Sequence, residues 1–278
     1  MNTEEPKQPN EGMAEIVTSL RALGQQLIKG MQEFQRVFDE VVKNAGPFLA
    51  NLEANVKAIP GRTIAVQQTL ARRGWFLPPR APAMTFINLV EERSASSQMK
   101  ELDALMTDYI DSKLSEIEDD LVARYPKRKA LFEEAFKAHR QGMYASSITV
   151  LLSQADGICA DLLGEKFFSM EMVKGGVKQP KTKKVIESYG AGMLQEMMLE
   201  PLLSGSGMVA SEKDQASYPD SLNRHTVMHG IDTVYPSRMN SAKAISLVAY
   251  LGGIAHKIIE EMKSGATAAS RSIIPSPN

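Results

Sequence analysis

Apolar residues recur at three- and four-residue steps from Met13 through Ile16, Leu20, Leu23, Leu27, Met31, Phe34, Phe38 and Val41. This spacing predicts a long helix with one narrow apolar seam, suited to another helix of the same chain or to a partner. Ala45-Gly46-Pro47 predicts a break or kink; Phe48, Leu49, Leu52, Val56 and Ile59 resume the period, and Pro60-Gly61 predicts its end. Arg73-Gly74-Trp75-Phe76-Leu77-Pro78-Pro79 joins the only tryptophan to a proline pair and reads as an extended connector anchored in the core. A second seam, Met99, Leu102, Met106, Tyr109, Leu114, Ile117 and Leu121, predicts another long helix with acids on its outer face.

Pro126 suits a first helical position, and the helix it opens is expected to run to about Arg140, before Gly142. A largely buried helix follows from near Met143, carrying Ile148, Leu151, Leu152, Ile158, Cys159, Leu162 and Leu163, with Gly164 as terminator. Asp156 shares the face of Leu152 and Cys159, so its carboxylate requires a partner. Lys183 to about Leu199 reads as a helix, Leu203 to Ala216 as a mobile Ser/Gly-rich segment, and Met239 to Met262 as the last strong helix, followed by a Ser/Thr/Ala/Pro tail. No segment sustains strand alternation, which predicts an all-α helical bundle preceded by a long-helix region. The expected organisation is a disordered tail at 1–12, an N-terminal helical region at 13–125, a helical domain at 126–263 and a disordered tail at 264–278.

Composition narrows the function classes. The 278 residues carry 32 Lys and Arg against 33 Asp and Glu, a net charge of −1, so a uniformly basic nucleic-acid coat is excluded and any nucleic-acid site must be local. Acids exceed bases up to Tyr125 and bases exceed acids beyond it. The single cysteine, Cys159, allows no internal disulfide and fits a reducing compartment. The polar, acidic opening does not read as a secretory signal, and no apolar run approaches the roughly 20 residues of a bilayer crossing. A soluble, cytoplasmic protein without membrane contact is the expectation.

The sequence lacks a phosphate-binding Gly-rich loop, a G-x-S-x-G elbow and an H-E-x-x-H helix. Its densest polar chemistry is Asn223-Arg224-His225-Thr226-Val227-Met228-His229-Gly230. On a regular helix His225 and His229 would lie about 40° apart on one face, whereas Arg224 and His229 would lie about 140° apart. Three readings fit: a structurally capped helix end, a metal site in which His225 and His229 recruit Asp220, Asp232 or His256, and general acid–base catalysis on a phosphodiester beside a permanently cationic arginine. Lys174, Lys178, Lys181, Lys183 and Lys184 lie in a stretch free of acids, either a solvated loop or a local RNA phosphate contact.

Arg224-His225-Thr226-Val227-Met228-His229 resembles the motif of HEPN-superfamily nucleases: arginine, a polar residue, further residues and histidine. Tyr144-Ala-Ser-Ser-Ile-Thr-Val-Leu-Leu-Ser-Gln-Ala-Asp156-Gly157, with Tyr235 and Asn240-Ser241-Ala242-Lys243-Ala244, is similar to HEPN-like domains of abortive-infection proteins. The resemblance covers about 126–263. It implies a homodimeric helical bundle and metal-independent RNA cleavage without a cofactor, in a toxin or antiphage-defence effector, with three catalytic residues: His229 to assist proton transfer, Arg224 to hold the scissile phosphate and His225 to orient or supplement them. Asn223 would support them, and Asp156 is either a partner for Arg224 or a histidine or a structural salt bridge or cap. Outside the resemblance, the N-terminal helices offer a contact for an inhibitor or sensor. The alternative is a non-catalytic helical protein whose HEPN-like domain serves interaction and dimerisation.

Overall fold

The computed structural model describes residues 46–77, 83–95, 98–218 and 220–272, with further helical positions at 18, 25, 29, 31–33 and 36. Contacts divide the chain into two compact units, Met1–Ile59 and Pro60–Asn278. In the first unit Met31 of the predicted seam is exposed. The other seam residues up to Val41, and the tail at 1–12, lie outside the described residues.

Helix α1 (Gly46–Arg72) contains Pro60, so the predicted stop at Pro60-Gly61 is corrected. Proline removes one hydrogen-bond donor, but Val66, Leu70 and Ala71 beyond it are buried, and that packing carries the helix to Arg72. Trp75 and Phe76 are buried in the extended connector that follows, as expected. Helix α2 (Ala83–Ala95) leads to α3 (Met99–Ser112) and α4 (Leu114–Arg124). The second seam is therefore two helices rather than one. Ser112 Oγ donates to the Tyr109 carbonyl at 2.7 Å, a local bond that competes with the helical ladder where the chain turns at Lys113.

A short 3-10 turn, Pro126–Arg128, opens α5 (Lys129–Arg140), and α6 (Tyr144–Leu163) stops at Gly164, whose φ of 71° is the left-handed cap predicted for it. A hairpin follows, β1 (Met170–Met172) paired antiparallel with β2 (Lys178–Pro180), Glu171 opposite Gln179. Three-residue strands are too short to leave an alternating pattern. The expected helix from Lys183 to Leu199 is divided into α7 (Lys181–Ser188) and α8 (Met193–Met198), because Gly190 at φ 69° ends the first. Then come α9 (Glu200–Ser204), 3-10 turns at Gly207–Val209 and Glu212–Ser217, and α10 (Arg224–Met228).

The last helix is α11 (Arg238–Tyr250), a π turn at Leu251–Ala255, and α12 (His256–Ser272). It runs past the predicted end at Met262. At the π turn a side chain on Gly252 would come within 2.4 Å of Leu121 Cδ2, so glycine lets α4 approach. Helix α6 packs against α5 and α11, and α11 also packs against α3. Helices on both sides of Tyr125 therefore share one apolar core. The stretch Arg238–Gly265 is long and apolar enough to cross a membrane, but 72% of its apolar window is buried inside the protein, which accounts for its hydropathy. Among the described residues the fold is an all-α bundle with one small hairpin.

Candidate functional site

The segment Asp220–Asn223 is fixed before α10 begins. Arg73 forks between Asp103 and Asp220, and the Trp75 indole donates to Asp103 Oδ1 at 2.8 Å. Lys243, fully buried in α11, donates to the Asp220 carbonyl and lies 5.7 Å from the centre of the Trp75 ring. Burial pushes its ammonium down to about 8. Asn223 then caps α10: its Oδ1 accepts from the Thr226 N–H at 3.0 Å, and its Nδ2 donates to the Ala210 carbonyl at 2.8 Å. Asn223 is itself buried, so its support is structural: it ties α10 to the 3-10 segment after α9.

Helix α10 is only one turn long, and His229 is its C-terminal cap residue. The rings of His225 and His229 lie 4.4 Å apart, tilted by 57°, as the one-face spacing predicts. His225 is half-buried and His229 exposed. Arg224 points elsewhere, as the angular spacing requires: its guanidinium lies 5.7 Å from the centre of the Phe168 ring and 3.8 Å from Asp156. Asp156 has the partner its position demands, accepting from the Phe168 N–H at 3.1 Å. At 3.8 Å the arginine is held loosely, short of the paired geometry of a strong arginine–carboxylate bond.

Arg224, His225 and Phe168 line a cleft of about 520 Å³ with Arg72, Lys178, Ser206 and Tyr218. His229 lies outside that lining, beside His225. Of the five lysines, Lys178 alone reaches the cleft, where it pairs with Asp214 at 3.4 Å. Lys174 is exposed in the hairpin turn, Lys181, Lys183 and Lys184 belong to α7, and Lys183 pairs with Glu187 at 3.9 Å. The five do not form one surface loop as the sequence suggested.

The Ser/Gly-rich stretch forms one wall of the cleft. A side chain on Gly207 would meet Ser221 Oγ at 2.5 Å and the Arg72 carbonyl at 2.6 Å, so glycine allows the wall to seat on both. Sequence reasoning missed Arg72, Ser206 and Tyr218, because they come from three distant segments. The paired arginines before Gly74 and the dense glycines at 205 and 207 were the available signals. Among the described residues no group of three or more His, Cys, Asp or Glu could hold a metal ion, and the carboxylates considered for that role do not join His225 and His229 in such a group. Neither family models, nor curated proteins, nor solved structures give a match to this chain.

Proposed function

We propose that the chain is a metal-independent endoribonuclease of the HEPN type, cytoplasmic and homodimeric, and the effector of a toxin or antiphage-defence system. The observation that carries the reading is that Arg224 and His225 share the lining of a cleft whose cations outnumber its acids, with the accessible His229 ring 4.4 Å from His225 outside that lining. The 2′-hydroxyl of RNA supplies the nucleophile. One imidazole takes its proton as the O2′–P bond forms, the P–O5′ bond breaks, and a protonated imidazole returns a proton to O5′. Arg224 stabilises the charge developing on phosphorus. The products are a 2′,3′-cyclic phosphate and a 5′-hydroxyl. Because His225 lines the cleft and His229 does not, this reading exchanges the roles expected from the sequence: His225 moves the proton, with His229 beside it as its support. In a homodimer the partner copy would bring a second such segment to the same RNA, and an inhibitor or sensor would act through the N-terminal helices.

The test is incubation of the pure protein with a defined RNA, with and without chelator. Cleavage that survives chelator and leaves cyclic-phosphate ends supports the reading; no cleavage, or cleavage abolished by chelator, overturns it. A non-catalytic interaction protein is the second reading, favoured by one observation: Met228, Ile231 and Val234 flank His229 with exposed apolar side chains. Under that reading the histidines can be replaced without any change in RNA.

A further inference from the structure

Two cation–aromatic pairs line the same cleft. One is Arg224 with Phe168. The other is Arg72, 5.6 Å from the centre of the Tyr218 ring, contributed by the end of α1 and the segment before Asp220, neither of which the motif contains. Arg72 is exposed and, among the described residues, has no carboxylate in ion-pair contact. Ser206 also lines the cleft; it is 9% exposed and its Oγ has no hydrogen-bond partner. A buried hydroxyl without a partner carries a desolvation cost that a polar ligand atom would relieve. The cavity falls within the about 300–1,000 Å³ of small-ligand pockets.

We propose that Arg72, Tyr218 and Ser206 form a nucleotide subsite, which takes the nucleoside-phosphate unit next to the scissile bond of single-stranded RNA. Tyr218 offers a ring for a base to stack on, Arg72 a permanent cation for phosphate, and Ser206 a hydroxyl for a base or sugar edge. The RNA context of this subsite rests on the endoribonuclease reading; the nucleoside-phosphate chemistry rests on the residues of the cleft.

The experiment uses the full chain and three probes: adenosine monophosphate, inorganic phosphate, and a short 2′-O-methyl oligonucleotide, which cannot be cleaved through its 2′-oxygen. Binding is measured by calorimetry for wild type and for Tyr218→Leu, Arg72→Gln and Ser206→Ala, with melting curves to establish folding. The nucleotide and the oligonucleotide should bind, and Tyr218→Leu should weaken both by about 5- to 150-fold. Arg72→Gln should reduce the log–log salt slope for the oligonucleotide by about 0.7. Ser206→Ala should weaken binding of the nucleotide and the oligonucleotide and leave inorganic phosphate unaffected. In cleavage assays the Tyr218 and Arg72 changes should raise KM with kcat nearly unchanged.

Folded variants that bind every probe as wild type does would overturn the subsite, even where RNA cleavage proceeds. Inorganic phosphate that binds as tightly as the nucleotide, unaffected by Tyr218→Leu, would also overturn it by showing an anion site alone. Nucleotide binding that depends on Tyr218 and Arg72, in a protein that leaves RNA intact, would support the subsite for free nucleotides and overturn the endoribonuclease reading instead.

Discussion

Two histidine sites of this protein invert each other's properties. His139 in α5 sits between Asp111 and Ser241: Nε2 is 2.9 Å from Asp111 Oδ1 and Nδ1 is 2.8 Å from Ser241 Oγ. By residue type and distance this is the Ser–His–Asp arrangement of a hydrolase. Yet His139 is 5% exposed and Ser241 0%, with Ser147 Oγ a further 3.0 Å away in the core. Asp111 is shared with Arg238, whose Nε donates to it at 2.6 Å. No substrate reaches that serine, and the network joins α3, α5, α6 and α11. His225 opens on the cleft and His229 on solvent, and among the described residues no carboxylate is hydrogen-bonded to either ring. Triad geometry without access is architecture; the proposed chemistry needs the looser pair, because one of its rings lines the cleft.

The comparison is sharpest in a crossed pair of substitutions. His225→Ala should lower RNA cleavage by about 10²–10⁴-fold, the range for a lost general acid or base, while leaving the melting temperature unchanged. His229→Ala should lower it less, since that ring lies outside the cleft lining. A folded His225→Ala protein that cuts RNA at the wild-type rate would erase the functional half of the contrast.

His139→Ala should do the reverse, costing about 2–4 kcal/mol of stability by emptying a buried ring's space and removing its hydrogen bonds to Asp111 and Ser241, which keep Arg238 and Ser147, with unchanged kcat per folded molecule. Asp111 only accepts, so Nε2 carries the proton of the neutral ring and Nδ1 accepts from the Ser241 hydroxyl. Burial holds His139 below the ordinary histidine range despite the adjacent carboxylate. The unfolded chain therefore takes up the proton first as pH falls. The stability that His139 adds relative to alanine is complete above about 6.5 and declines below it until the folded ring also protonates. Denaturation midpoints for both proteins between pH 8 and 5 measure this, and a constant difference would show that the ring is not buried neutral.

Lys243 offers a smaller test of the same kind, near the cleft. Its pKa of about 8 lies below the ordinary 10.5, so between those values the folded side chain is neutral and the unfolded one charged. Stability contributed by Lys243 therefore rises with pH across that window, by at most about 1.4 kcal/mol per unit. Relative to Lys243→Met, wild type should gain stability from pH 8 to 10. Parallel curves for the two proteins would place the ammonium in water rather than against Trp75.

What could be read from the sequence divides along similar lines. The period of α6, its glycine stop and the need of Asp156 for a partner were legible, because each depends on residues close in the chain. The spacing of His225 and His229 likewise gave their shared face. Pro60 inside α1 and the break at Lys113 were not legible, since burial beyond the proline and a serine-to-carbonyl bond outweigh local propensity. The cleft was half visible: Arg224 and His225 came from a contiguous motif, whereas Arg72, Ser206 and Tyr218 meet only through tertiary packing.

The smallest effect belongs to the lysines, where sequence and structure part most clearly. Equal roles for all five would predict that each glutamine substitution removes a similar share of the salt dependence. The structure places Lys178 in the cleft and the other four outside its lining. Lys178→Gln alone should therefore reduce the log–log slope of oligonucleotide binding by about 0.7, one single-stranded phosphate contact. Replacing Lys174, Lys181, Lys183 and Lys184 together should leave the plot superimposable on wild type. Because a lysine contacts phosphate without reading bases, the Lys178 effect should be equal across sequences. Binding over a salt series with the 2′-O-methyl probe separates the cases. A slope lowered by the four outer lysines and not by Lys178 would route the strand over the hairpin turn and α7, away from Arg224 and His225, and so would detach RNA binding from the cleft on which the proposed chemistry depends.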